Sequence, residues 1–461
     1  MTRIKRMIPV LGVVAKLSLC LALLTAACRE GNRYRYEDIP PGFDYPAEEN
    51  ALLAKIDRDD RRALREHAWN LWAGLTAPSK SIWNGQVLPV YETWYSSDEV
   101  FTPDGAGRSF KFSFETPRQA LHARSRDGAE PAAVMAFVKY NRDAAQFIRD
   151  QKYYLKSTLD TLNAESDARR APPERREIEP FPRAAVSLKP VYWLIKNPRS
   201  AQSERGLTAL PYWDPNYPPP PDGQPPTHLT WARCVAVDPA GKYPPGSRQQ
   251  VNCNGTAQNP KLVEAEVVRL DRFYSYRLTT PEEVAAAARF AQMKSGSGPR
   301  EQERFVENAG QTPEAGDYIV LCAMHVTTKE IDNWTFQTYW WSPTPDLPPH
   351  GDFRTPNVKG IWANYQMCTA YSMDTPVCFN PYLESDLGPM KPYTIDGQTY
   401  PADPMAGTRS NCMTCHVRAG WPQVGTNYGR IFNTGYLAPD DPYFAKVTKT
   451  DFLWSLVFLS K

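Results

Sequence analysis

The residues of this 461-residue chain with the most chemistry stand together near its end, at Cys412-Met413-Thr414-Cys415-His416. Two thiols at this spacing can close a disulfide, hold a metal or cycle as a redox pair. They can also add to the two vinyl groups of a haem, with the adjacent imidazole as proximal iron ligand. Composition alone gives roughly 0.003 expected matches to the pattern, so chance is a poor explanation. A disulfide leaves His416 without a role. A zinc site needs more ligands, and the chain has no second Cys-x-x-Cys and no His-x-x-x-His. A thioredoxin-like pair should open a helix after a strand of a parallel sheet. Here Arg409-Ser410-Asn411 precedes the motif, and Ala419-Gly420-Trp421-Pro422 would interrupt a helix continuing beyond it. Covalent attachment of one haem c through Cys412 and Cys415, with His416 on the iron, uses all three side chains.

The N-terminus points to export, where haem c is attached. Arg3, Lys5 and Arg6 are followed by an apolar stretch that ends in Leu24-Thr25-Ala26-Ala27-Cys28. A short apolar run with a basic flank and small residues at its end is a secretory signal rather than a mature membrane helix. The final cysteine makes the segment resemble a bacterial lipoprotein signal. That resemblance implies a signal peptide over 1–27 and a lipid on Cys28. Arg29, at the sorting position, implies the outer membrane, facing the periplasm. Cleavage near Ala27 to give a soluble periplasmic protein is the alternative. Residues 28–50 read as a polar tether, and 51–461 as one large haem-bearing domain.

The five-residue motif resembles that of the c-type cytochromes. Asp332 to Trp341, Asn380 to Glu384 and Asp451 to Ser455 also resemble segments of large, uncharacterised bacterial proteins with one C-terminal haem motif. Small cytochromes c supply a methionine downstream of the motif, but no Met and no His comes after His416 here. A motif this late is also similar to that of the β-type cytochrome c-prime group, whose functional lysine cannot be transferred to Lys189. Any distal ligand must come from upstream. The candidates are His325, Met367, Met373 and Met405, with His350 behind them. Packing is the commoner use of such residues. His325 is expected on a strand face with Ile319, Leu321 and Ala323.

Nine cysteines are present. With Cys20 in the signal, Cys28 on lipid and two on haem, five remain. Cys234 with Cys253, and Cys368 with Cys378, are the local disulfides expected; Cys322 reads as a buried free thiol.

The elements that must position the motif can be read from periodicity. A helix capped by Asp60 carries Leu64, Ala68, Leu71, Trp72 and Leu75. Asn141 to Asn163 reads as a second helix and Pro281 to Met293 as a third. Val87 to Tyr95, Ala184 to Ile195, Tyr318 to Thr328 and Trp334 to Trp341 read as strands, the last with Trp334, Phe336, Thr338 and Trp340 on one face. The fold expected is α+β, with a mixed, largely antiparallel sheet core, several helices and long Pro-rich connections. The tail Asp451 to Leu456 should fold back over the haem core.

The net charge is +2, and −2 without the four cations Arg3, Lys5, Arg6 and Lys16, so the mature chain has no electrostatic footprint for nucleic acid. No hydrolase elbow, phosphate loop or metalloprotease helix motif is present. Three functions stay open. The first is electron transfer to or from a redox partner protein. The second is a haem enzyme or small-ligand sensor with an open distal site for peroxide or nitrogen oxides. The third is a binding module with structural haem.

Overall fold

The structure, a computed structural model, describes residues 32–103, 134–203, 205–214, 231, 233–255, 259–292, 312–373, 378–384, 393–395, 398–400, 412–422 and 437–461. The fold is α+β with a largely antiparallel core. Its centre is an eight-stranded sheet: β1 (Tyr95–Ser96), β2 (Val134–Ala136), β3 (Lys139–Tyr140), β4 (Val186–Ile195), β5 (Ser275–Arg277), β6 (Tyr318–Thr328), β7 (Thr335–Trp341) and β8 (Tyr365–Ala370). The path runs β8-β7-β6-β4-β3-β1; β5 pairs with β6 and β2 with β4. The long strands β4, β6 and β7 are buried almost throughout, as their apolar runs require of strands covered on both faces.

One face is covered by helix α1 (Arg61–Leu75), which Asp60 caps by accepting the Ala63 N–H at 3.1 Å. Trp72 stacks on Tyr339 of β7 with ring centroids 4.3 Å apart, and the Tyr339 hydroxyl donates to the Ala68 carbonyl at 2.6 Å. The opposite face carries the candidate site. A four-strand row across it is set by register: Lys189 of β4, His325 of β6, Thr338 of β7 and Cys368 of β8. Direct partners in antiparallel strands project to the same side.

Several expectations change. First, the register of β6 against β4 slips between Leu321, opposite Tyr192, and Ala323, opposite Val191, so Cys322 is an extra residue. Such a bulge inverts the alternation, and His325 lies on the other face from Ile319 and Leu321. Second, Val87 to Tyr95 is not one strand: a strand over Gln86–Pro89 and β1 are separated by a 3₁₀ turn over Val90–Thr93. Third, Asn141 to Asn163 is two helices, Arg142–Asp150 and Lys156–Ala168, broken where Lys152 takes a left-handed φ of 58°.

Residues 33 to 48, expected as tether, are fastened to the body instead. Arg33 bridges Ile82, and the Tyr45 hydroxyl donates to the Ala184 carbonyl at 2.6 Å. The Ala47 N–H donates to Glu330 Oε1 at 2.7 Å. Residues 1–31, with the signal peptide and Cys28, lie outside the described residues. Among the described residues no helix is long and apolar enough to cross a membrane.

A second sheet, in the order Thr208–Pro211, Cys234–Asp238, Leu262–Arg269 and Arg248–Asn252, has its own small core and contains the one parallel pair among the described strand pairings. Its Cys234–Cys253 disulfide and the Cys368–Cys378 disulfide are the two expected. Cys322 is a buried free thiol.

Candidate functional site

The motif forms the short helix α3 (Cys412–His416), reached in the chain after α2 (Pro381–Glu384). It lies on the sheet face that carries the Lys189–His325–Thr338–Cys368 row. The His416 ring packs against Phe336 of β7 with centroids 4.8 Å apart. Phe336, Thr338 and Trp340 share that face as expected, whereas Trp334 precedes the strand and packs on Phe181. Helix α4 (Trp454–Leu459) and the residues before it close the site from behind. Leu453, Trp454 and Leu456 are buried, and the Trp454 indole donates to the Cys415 carbonyl at 3.2 Å. The tail therefore folds back as the sequence predicts.

His416 Nδ1 lies 2.7 Å from the Phe452 carbonyl. A carbonyl can only accept, so Nδ1 carries the proton and Nε2 keeps its lone pair. Burial lowers the imidazole pKa to about 4, with His325 and Lys189 adding to the effect against the Phe452 carbonyl. The ring is therefore neutral at pH 7, the form that binds a metal.

Both motif thiols are free, although the other described cysteine pairs are joined. Cys412 is buried and its S–H donates to the Cys378 carbonyl at 3.6 Å. Burial pushes the Cys412 thiol well up, and pushes Cys415 up to about 12, with Glu384 contributing to both. These residues fit a covalently held haem: two unpaired thiols on one helical turn, and beside them an imidazole whose far nitrogen is fixed by the backbone.

Across from Cys412 stands a pair that sequence reading gives only in part. His325 Nδ1 is hydrogen-bonded to the Thr338 hydroxyl. Its buried Nε2 lies 3.1 Å from Glu384 Oε1, which makes the carboxylate its neighbour in an ion-pair contact. Glu384 Oε2 accepts the Asn380 N–H at 2.7 Å. Burial pushes the Glu384 carboxyl up, but His325 and the Asn380 N–H outweigh it and hold the group below the usual carboxylate range. The donor atoms of His325, Glu384 and Cys412 all lie within 4.8 Å of one another.

The other distal candidates fare differently. Met367 pairs with Tyr339, so it lies on the α1 face of the sheet, away from the motif. This is a correction: alternation along β8 sends Cys368 to the site and Met367 away from it. Met373 is buried in the main core, and no described contact brings it to His416. Met405 lies outside the described residues. His350 sits between Trp213 and Trp340, with Nδ1 3.4 Å from the Met367 carbonyl; burial lowers its pKa to about 4.

Glu384 escaped sequence reading because a single carboxylate has no pattern. Its signals were the resemblance noted for Asn380 to Glu384, which gives the carboxylate no role, and its position six residues after Cys378, whose disulfide to Cys368 ties this segment to β8. Comparison with known proteins gives no match to a family model, a curated protein or a solved structure.

Proposed function

We propose that this chain is an exported monohaem c-type cytochrome acting in electron transfer, held to the outer membrane by a lipid on Cys28 and serving a protein redox partner. The reading is carried by one observation: helix α3 offers two unpaired thiols beside an imidazole fixed through Nδ1 to the Phe452 carbonyl. Cys412 and Cys415 would hold the haem, and His416 would be its proximal ligand. When bound, that group supplies one-electron chemistry at its iron. The chain's own residues do the rest. The Phe452 carbonyl sets the His416 tautomer and orients the ring. Phe336 backs the ring, and the buried Leu453, Trp454 and Leu456 pack the tail beside the motif.

A second reading, a haem enzyme or small-ligand sensor, is favoured by the carboxylate beside His325. A lone distal ligand has no need of an acid partner, whereas proton transfer to a bound small molecule does.

The test is the exported protein made in a host that attaches haem c. Covalent haem should survive denaturation in wild type and be absent from the Cys412→Ala/Cys415→Ala variant. Denatured wild type without haem overturns the reading. A low-spin spectrum in both oxidation states supports electron transfer, and a high-spin one supports the enzyme or sensor.

A further inference from the structure

The cluster formed by His325, Glu384 and Cys412 has a property that haem attachment does not require. In His325 and Glu384 one side-chain atom is held by a neighbour while the other faces the common centre, and Cys412 presents its single sulfur there. The Thr338 hydroxyl holds His325 Nδ1, which leaves Nε2 toward Glu384 Oε1 and the common centre. The Asn380 N–H holds Glu384 Oε2, which leaves Oε1 toward His325. The Cys378 carbonyl receives the Cys412 S–H. Thr338 and His325 are pinned by strand register, and Asn380 and Cys378 by the disulfide to β8. An imidazole fixed through its other nitrogen is how proteins present metal ligands, and a nitrogen, an oxygen and a sulfur donor suit a borderline divalent ion such as Zn²⁺ or Co²⁺.

We infer that the chain, before it carries haem, binds one divalent transition metal through His325 Nε2, a Glu384 carboxylate oxygen and Cys412 Sγ. Binding replaces the Cys412 S–H bond with a sulfur–metal bond and releases that proton to solvent. A fourth position is left for water. Cys415 and His416 take no part. The same sulfur is the one that a haem vinyl group would alkylate, so the two occupancies exclude each other. The metal holds Cys412 as a thiolate against capture by Cys415, and must leave before haem is attached.

The mutual exclusion rests on the cytochrome reading; the metal site does not. The test uses the full chain, exported in a host without haem-attachment machinery and carrying Cys415→Ser so that no motif disulfide can form. Co²⁺ is the probe, because a thiolate ligand gives it a near-ultraviolet charge-transfer band. One Co²⁺ per chain with that band is expected, and Zn²⁺ should displace it. Adding Cys412→Ser should abolish the band. His325→Ala or Glu384→Gln should weaken binding by more than tenfold, and Thr338→Val by about 10–100-fold through loss of the group that orients His325. Circular dichroism of each variant reports whether it folds. Absence of the band in folded protein overturns the inference. So does a band that survives His325→Ala and Glu384→Gln but is lost with His416→Ala, because the ion would then sit on the motif alone. Covalent haem in the wild-type chain together with no Co²⁺ binding leaves the cytochrome reading standing without the metal site. Co²⁺ binding in a chain that never acquires haem does the reverse.

Discussion

A histidine that gives its Nδ1 proton to a backbone carbonyl can offer only Nε2 to anything else, and His416 is held in that state by Phe452. At the scale of single residues, the chemistry of this protein lies in such second contacts: Thr338 behind His325, Asn380 behind Glu384, Cys378 behind Cys412. His350 shows burial outweighing the pull of a nearby acid, Asp352, on a histidine. Its pKa is lowered to about 4, first by burial and then by the Arg65 charge. The folded protein holds the neutral ring, so His350 contributes stability above the unfolded value of about 6.5. That contribution is lost as pH falls from there through about 4, and its size is on the order of 3 kcal/mol. Unfolding midpoints measured between pH 7 and pH 4 should therefore fall more steeply for wild type than for His350→Gln. Parallel curves would show that the ring is not held neutral by the fold.

At the scale of elements, the site depends on pieces that strand register and one disulfide bring together. Removing the Cys368–Cys378 link by a double Cys→Ala change should cost about 3 kcal/mol, since its loop spans ten positions. It should also free the segment that carries Glu384, which faster hydrogen exchange over 378–384 would report. A second device is the buried network below α1. His67 Nε2 lies 3.2 Å from Glu330 Oε1 and Nδ1 2.7 Å from the Tyr371 hydroxyl, while Glu330 also accepts from Thr328 and the Ala47 N–H. Glu330→Ala removes the carboxylate that His67 Nε2, the Ala47 N–H and the Thr328 hydroxyl all face, and should destabilise by about 3–5 kcal/mol. Chemical denaturation measures the loss, and proteolysis within 33–48 should rise with it. Much of this architecture was legible in the sequence. The Asp60 cap, the helix after it and the apolar strands β6 and β7 can be read from periodicity and capping alone. The features that escaped have local physical causes. One extra residue at Cys322 inverted the alternation that placed His325, and a left-handed Lys152 broke an otherwise continuous helical pattern. The meeting of Glu384 with His325 is tertiary, and residue spacing does not encode it.

At the scale of the whole molecule, the sheet separates two environments. The α1 face is a packed aromatic core in which Trp72 touches Tyr339, Trp362 and Tyr365. The motif face carries buried nitrogen, oxygen and sulfur donors. If Cys28 carries the proposed lipid anchor, Cys28→Ser should move the protein from the membrane fraction to the soluble fraction. Retention on membranes washed with high salt would rule the lipid out. The same anchor gives the bridge between Arg33 and Ile82 a geometric meaning. Five peptide steps separate Cys28 from Arg33, and fully extended chain covers at most about 3.5 Å per step, or roughly 18 Å in all. If the lipid is there, a leash that short would not let the body move far from the membrane. With the proposed anchor the strand bearing Ile82 would stay within roughly 18 Å of the bilayer, and the surface open to the proposed redox partner would be decided by where the chain enters its own fold.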